Sequence, residues 1–194
     1  MESPAPFMPV PTPACLADGR LTPDREFKLR QAVVREAVSW VGTPYVQLGD
    51  VKGPAGALDC SMLLVRTFVD AGVLSPFDPR PYPPNWHMHH SDERYLAWMQ
   101  AVAVEVPTPK AGDVVIFRFG MCFSDGGVLI DGQRVVHALA QHGFCDVTDL
   151  REAFLEFERV PGAGKTRRAW APRPKRFFDV FAGVRRWVVE QAEG

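Results

Sequence analysis

Apolar and polar residues alternate at two different periods along this chain, and the change of period divides it. From Phe27 to Val41 the apolar positions Phe27, Val33, Val34, Ala37, Val38, Trp40 and Val41 recur at helical spacing. Ahead of them stands Thr22-Pro23, an N-cap followed by a proline at the first helical position. Gly42 ends this helix, and Thr43-Pro44-Tyr45 reads as a turn. A Gly-containing loop over 46–58 leads to a second helical run, which starts at Cys60 and ends near Ala71-Gly72. Ser91-Asp92-Glu93 opens a third helix, with Tyr95, Leu96, Trp98, Met99 and Val102 as its inner face. From Val104 onward the period is that of strands. Val114–Phe117, Gly127–Ile130 and Val135–Ala138 are three of them, the last two joined by an Asp131-Gly132 turn. The Asp149–Phe157 stretch reads as a short helix and 161–176 as a Gly-, Pro- and Arg-rich loop. Phe177–Phe181 reads as a late strand and Val184–Ala192 as a tail helix. Helices first and strands afterwards predict an α+β fold, with N-terminal helices packed on an antiparallel β-sheet.

Composition narrows the class. At 194 residues and 46% hydrophobic, the chain can bury the core of one domain. A net charge of −1 argues against a nucleic-acid partner. No run approaches the roughly 20 apolar residues of a membrane span. Met1-Glu2-Ser3-Pro4 has neither a basic start nor an apolar stretch behind it, so no signal peptide is expected. Five prolines between Pro4 and Pro13 mark an extended arm that could order by lying on a partner. The expected organisation is an arm over 1–21, a domain over 22–182 and a helical tail over 183–194.

Of the four cysteines, Cys15, Cys122 and Cys145 read as buried, reduced thiols, and no pair has metal-site spacing. Cys60 differs. Asp59 directly before it is a good N-cap, which puts the thiol in the first helical turn. Unpaired N–H groups and the helix dipole favour a thiolate there. A thiol that attacks an amide also needs a base, a group to orient that base, and an oxyanion donor. His137 lies in a strand directly after a hairpin whose other arm carries Asp125. Spacing alone favours the plainer reading of a buried Cys60 and a hydrogen-bonded core His137.

Three other signals carry less. His87, His89 and His90 have no Cys or Glu at ligand spacing, so no metal or other cofactor is expected. Gly162-Ala163-Gly164-Lys165-Thr166 has Arg159 where a phosphate loop needs glycine, and Pro172 and Pro174 follow where it needs a helix. The basic segment from Lys165 to Arg176 reads as a solvated loop.

Four segments occur in the order found in NlpC-type cell-wall peptidases, a papain-like family. They are Gly42-Thr43-Pro44-Tyr45, Asp59-Cys60-Ser61, Gly112-Asp113-Val114-Val115-Ile116-Phe117, and Ser124 through Ala138. The likeness covers roughly residues 25–181. The runs Phe77–Pro84 and Phe119–Ser124 resemble the branch found with phage tail tips. The resemblance implies Cys60 as nucleophile, Tyr45 near the oxyanion and substrate amine, and Asp59 and Ser61 lining a stem-peptide subsite. His137 would be the polar residue that orients the base. It also implies a peptidoglycan stem peptide as substrate, tail-tip proteins as partners of the arm, and a place in the virion tail.

The register runs without a gap from Ser124 to His137, and it puts Asp125 where the family has its histidine base. An aspartate with a pKa of about 4 is far too weak a base for a thiol with a pKa of about 8.5, and its charge opposes ionisation of that thiol. Two routes around this exist: His137 contacting Cys60 with Asp125 as its orienter, or His142 or a histidine of the 87–90 loop reaching in. Met62, where the family often has glycine, is a second departure. The expectation is an impaired cysteine peptidase or amidase. The alternative is an inactive tail-tip component that keeps the fold for assembly or wall binding.

Overall fold

The computed structural model describes residues 9–12, 14–16, 18–83, 92–151, 155–160, 167–172 and 174–193. Helix α1 (Pro23–Val38) starts as expected, with the Thr22 hydroxyl accepting from the Arg25 N–H. Its inner face is narrower than the apolar stripe predicts. Val33 and Ala37 are buried, but Phe27 is 63% exposed, and Arg30 points inward instead. Arg30 goes in because carboxylates meet it there: Glu26 at 2.8 Å, Asp113 at 2.7 Å and Asp179 at 2.8 Å.

Helix α2 (Cys60–Asp70) buries Met62, Leu63, Leu64, Val65, Thr67 and Phe68, nearly its whole circumference, and so runs through the core. Helix α3 (Arg94–Val102) buries Tyr95, Leu96 and Met99. Glu93 at its start caps no helical N–H; its carboxylate accepts from the Phe123 N–H at 2.9 Å and ties α3 to the sheet.

Two short strands, β1 (Asp50–Val51) and β2 (Ala57–Leu58), pair inside the loop before α2. Among the described residues, the main sheet contains β3 (Val104–Glu105), β4 (Val114–Phe119), β5 (Cys122–Leu129), β6 (Arg134–Leu139), β7 (Phe144–Asp149) and β10 (Lys175–Asp179). Its order is β3-β10-β4-β5-β6-β7, antiparallel throughout. Val114, Ile116, Val128, Val136 and Ala138 face the helices, whereas Val115, Phe117, Leu129 and Val135 form a second cluster on the other side. This is the α+β arrangement read from the order of elements.

The C-terminal half departs from expectation. Strand β7 was not anticipated. The stretch expected as a helix over Asp149–Phe157 ends β7 and then enters β8 (Leu155–Val160), which pairs with β9 (Arg167–Pro172) inside the expected loop. Hairpin pairing between neighbouring segments overrides the helical spacing here. Phe181 belongs to helix α4 (Val180–Glu193), not to the preceding strand. A Cβ on Gly183 would lie 2.1 Å from the Val102 carbonyl oxygen, so this glycine is what lets α4 close on the end of α3.

The described part of the arm lies on the chain's own domain. Ser75 N–H donates to Val10 O at 2.8 Å, Thr12 N–H to Val73 O at 3.1 Å, and Cys15 is fully buried. Among the described residues, no helix is long and apolar enough to cross a membrane.

Candidate active site

The N-terminus of α2 opens onto a cleft of about 260 Å³. Cys60, Asp59, Ser61, Tyr45, Ser124 and Asp125 line it, so five of the six residues singled out from the sequence meet there. Tyr82, Tyr95, Trp98 and the prolines 79, 81 and 83 supply the opposite wall.

Asp59 is the N-cap, with Oδ1 accepting from the Met62 N–H at 2.9 Å. The same carboxylate accepts the Leu48 N–H at 2.7 Å and the Tyr82 hydroxyl at 2.9 and 2.7 Å. Leu48 sits at φ 64°, an unusual place for a branched residue. Its N–H is held by Asp59 and its carbonyl by Arg80 at 2.9 Å. Asp59 is therefore 1% exposed and already engaged by three donors.

The Asp125 carboxylate is within hydrogen-bonding reach of the Cys60 thiol, and Ser124 O lies 3.8 Å from the Cys60 sulfur. A bulge between Phe117 and Arg118 of β4 pairs Phe117 with Asp125 but Arg118 with Phe123, shifting the register just before position 125. The thiol's pKa is raised well above its ordinary value. Burial is the largest cause, then the charges of Asp125 and Asp59. Residue 60 keeps some surface exposure, but the atoms packed around its sulfur exclude enough water for burial to dominate. From the sequence, Asp125 was the main opponent of the helix dipole; the structure adds a larger one.

Wild-type Cys60 is therefore expected to alkylate with iodoacetamide at least about tenfold more slowly than free cysteine at pH 8. Asp125→Asn should speed the reaction by removing a neighbouring negative charge. An alkylation rate equal to that of free cysteine would contradict the neutral, enclosed thiol.

His137 is not among the cleft-lining residues. It pairs across the sheet with Gly127 and is fully buried, with Nε2 2.7 Å from Thr148 Oγ1. Its ring packs edge-on against His142, centroids 5.2 Å apart. Burial first, then His142, lowers its pKa to about 4, against the pull of Asp146. The unfolded-state value is about 6.5, so folding favours the neutral ring. The stability this contributes is complete above about pH 6.5 and is lost as pH falls toward 4. NMR titration of the His137 ring should show it neutral at pH 5; a midpoint near 6.5 would refute this. His87, His89 and His90 lie outside the described residues.

Tyr82 and Tyr95 were not picked out as cleft residues from the sequence. A signal for Tyr82 existed in Pro81-Tyr82-Pro83, where flanking prolines hold the ring on a stiff extended segment. Tyr95 had been assigned to the inner face of its helix, which is correct but hides its place at the cleft.

The description of the NlpC/P60 family matches residues 42–159, more than half of the chain, spanning Tyr45, Cys60, Asp125 and His137. Among solved structures, NlpC1 from Trichomonas vaginalis superposes with a TM-score of 0.50 at 15% identity, covering 77% of this chain and 42% of that one. At that identity the likeness is one of fold. RipB, a peptidoglycan hydrolase from Mycobacterium tuberculosis, gives 0.49 at 20% identity, covering 83% and 69%. The NlpC/p60 domain of the peptidoglycan hydrolase SagA gives 0.45 at 20%, covering 63% and 90%. No curated protein matches the sequence. With a helix-capped cysteine facing an antiparallel sheet, and with the match running across that whole unit, this chain belongs to the NlpC/P60 family.

Proposed function

We propose that this domain is directed at peptidoglycan stem peptides, and that its hydrolysis of them is impaired because Asp125 stands in the base position. Family membership supports the substrate class. One observation carries the impairment: the buried thiol faces a carboxylate, and no imidazole lines the cleft among the described residues. A neutral thiol is a weak nucleophile, and a neighbouring carboxylate neither accepts its proton at neutral pH nor stabilises the anion. In this reading Cys60 is the vestigial nucleophile, Tyr45 and Ser61 contact the peptide, and His137 supports the strand beside position 125.

The test pairs calorimetry with product analysis on the stem tripeptide L-Ala-γ-D-Glu-meso-diaminopimelate. Wild type is expected to bind it without releasing products. Cleavage by wild type that Cys60→Ala abolishes would end the impairment reading. Absence of binding would end the substrate reading.

A second reading is a purely structural component of a phage tail tip. The saturation of Asp59 by Met62, Leu48 and Tyr82 favours it, because that carboxylate has little capacity left for a substrate amine. Tyr82→Phe separates the two. If the cleft takes a peptide with a free amine, removing the hydroxyl should tighten binding a few-fold. A structural component would bind in neither form. The tail-tip-like segments Phe77–Pro84 and Phe119–Ser124 support a virion location, which immunogold labelling of intact particles would test.

A further inference from the structure

We propose that Arg94 is a specificity-determining residue of this cleft, its guanidinium pairing with a carboxylate of the stem peptide. The inference rests on the stem-peptide reading and names the group of the ligand that the α3 side of the cleft recognises.

The charges around the cleft are unevenly placed. Asp59 and Asp125 line it beside a neutral thiol. The stem tripeptide carries more carboxylates than amines, so it is an anion and those two side chains repel it. Among the described residues that line the cleft, Arg94 is the one basic side chain. It opens α3, and Trp98 follows four positions later on the same helical face. Trp98 also lines the cleft, where its ring packs edge-on against Tyr82, centroids 6.5 Å apart. The backbone that carries Arg94 is held in place, because the neighbouring Glu93 carboxylate accepts from the Phe123 N–H of β5 at 2.9 Å.

The ion pair of Arg94 with Asp92 is loose. The two groups are 3.8 Å apart, with side-chain exposures of 64% and 62%. So open a pair contributes little and yields readily to a better acceptor. A carboxylate entering the cleft is that acceptor. It takes two parallel N–H bonds from the planar guanidinium, and Trp98 and Phe119 on the cleft wall shield the pair in part from water. A neutral carboxamide in the same place gives up the charge and one of the two acceptor oxygens. The cleft therefore favours stem peptides whose carboxylate is free over those in which it is amidated.

The test is calorimetry on wild type, Arg94→Gln and Arg94→Lys. The ligands are the stem tripeptide and the peptides in which each of its carboxylates in turn is a carboxamide. Arg94→Gln should weaken binding of the tripeptide about three- to tenfold. One carboxamide should bind wild type and Arg94→Gln equally, and it identifies the partner carboxylate. Arg94→Lys keeps the charge but not the planar fork, so it should recover part of the affinity. Added salt should weaken wild type more than Arg94→Gln. Tm should stay within about 2 °C in both variants, because the side chain is exposed. Wild-type affinity in Arg94→Gln overturns the inference and leaves the stem-peptide reading intact. An equal loss on the tripeptide and on every carboxamide overturns it as well, since the guanidinium then pairs with no carboxylate. Failure of wild type to bind any of these peptides overturns that reading and this one together.

Discussion

Asp125→His is expected to cleave the stem tripeptide at least about a hundredfold faster than wild type, within the 10²- to 10⁴-fold range typical of a positioned acid–base group. From position 125 in β5 a side chain already faces the Cys60 thiol. An imidazole there, with a pKa of about 6.5, accepts the thiol proton and becomes a cation beside the thiolate. The exchange thus removes a charge that opposes ionisation and supplies one that favours it. The cleft, at about 260 Å³, has room for the larger ring. His137, opposite Gly127 on the neighbouring strand, lies one step along from the new imidazole and can orient it. Activity should rise with pH through the imidazole's titration, and Cys60→Ala in the same background should abolish it. Asp125→Asn is the control: faster alkylation, no cleavage. An Asp125→His variant that folds and binds the peptide yet leaves it intact would show that something other than position 125 silences the thiol.

Arg30→Ala should lower unfolding free energy by about 3–5 kcal/mol, the cost of removing one partner from a buried ionic group. For a chain of this size that is a fall in Tm on the order of 10 °C. The guanidinium joins Glu26 of α1, Asp113 before β4 and Asp179 at the end of β10, and Phe181 of α4 stacks on it at 4.6 Å. Without it, Asp113 is a buried carboxylate whose cation is gone, and Asp179 keeps only Arg185 at 3.8 Å; their side-chain exposures are 1% and 8%. Replacing Arg30, Asp113 and Asp179 together by apolar residues should recover part of the loss, because Glu26 keeps Arg185 and no buried carboxylate is left without a cation. Urea denaturation of the single and triple variants decides this. A loss below 1 kcal/mol for Arg30→Ala would mean the network behaves like an exposed ion pair.

The helical half was legible because its signals are local. Thr22-Pro23 and Asp59 are caps whose partners lie within three residues, and the structure uses both. The strand half was less so. Residues 144–149 and 167–172 form strands by pairing with the strands just before them, 134–139 and 155–160, and neither run carries a pattern strong enough to announce it. The site divided in the same way. Cys60, Asp59 and Ser61 are contiguous, and Asp125, singled out from the run Ser124 to His137, lines the same cleft. Tyr82 and Tyr95 could not be placed, since each reaches the cleft through a loop or helix whose docking no local pattern specifies.

By itself, the chain's order of residues determined its class, the capped cysteine and the carboxylate at position 125, because these depend on neighbours in sequence and on side-chain chemistry. Tertiary packing alone decided how deeply the thiol is buried, that Tyr82 occupies Asp59, and that His137 turns to Thr148. The reason is physical: burial and electrostatic coupling fall off with distance through space, and distance through space is what folding supplies.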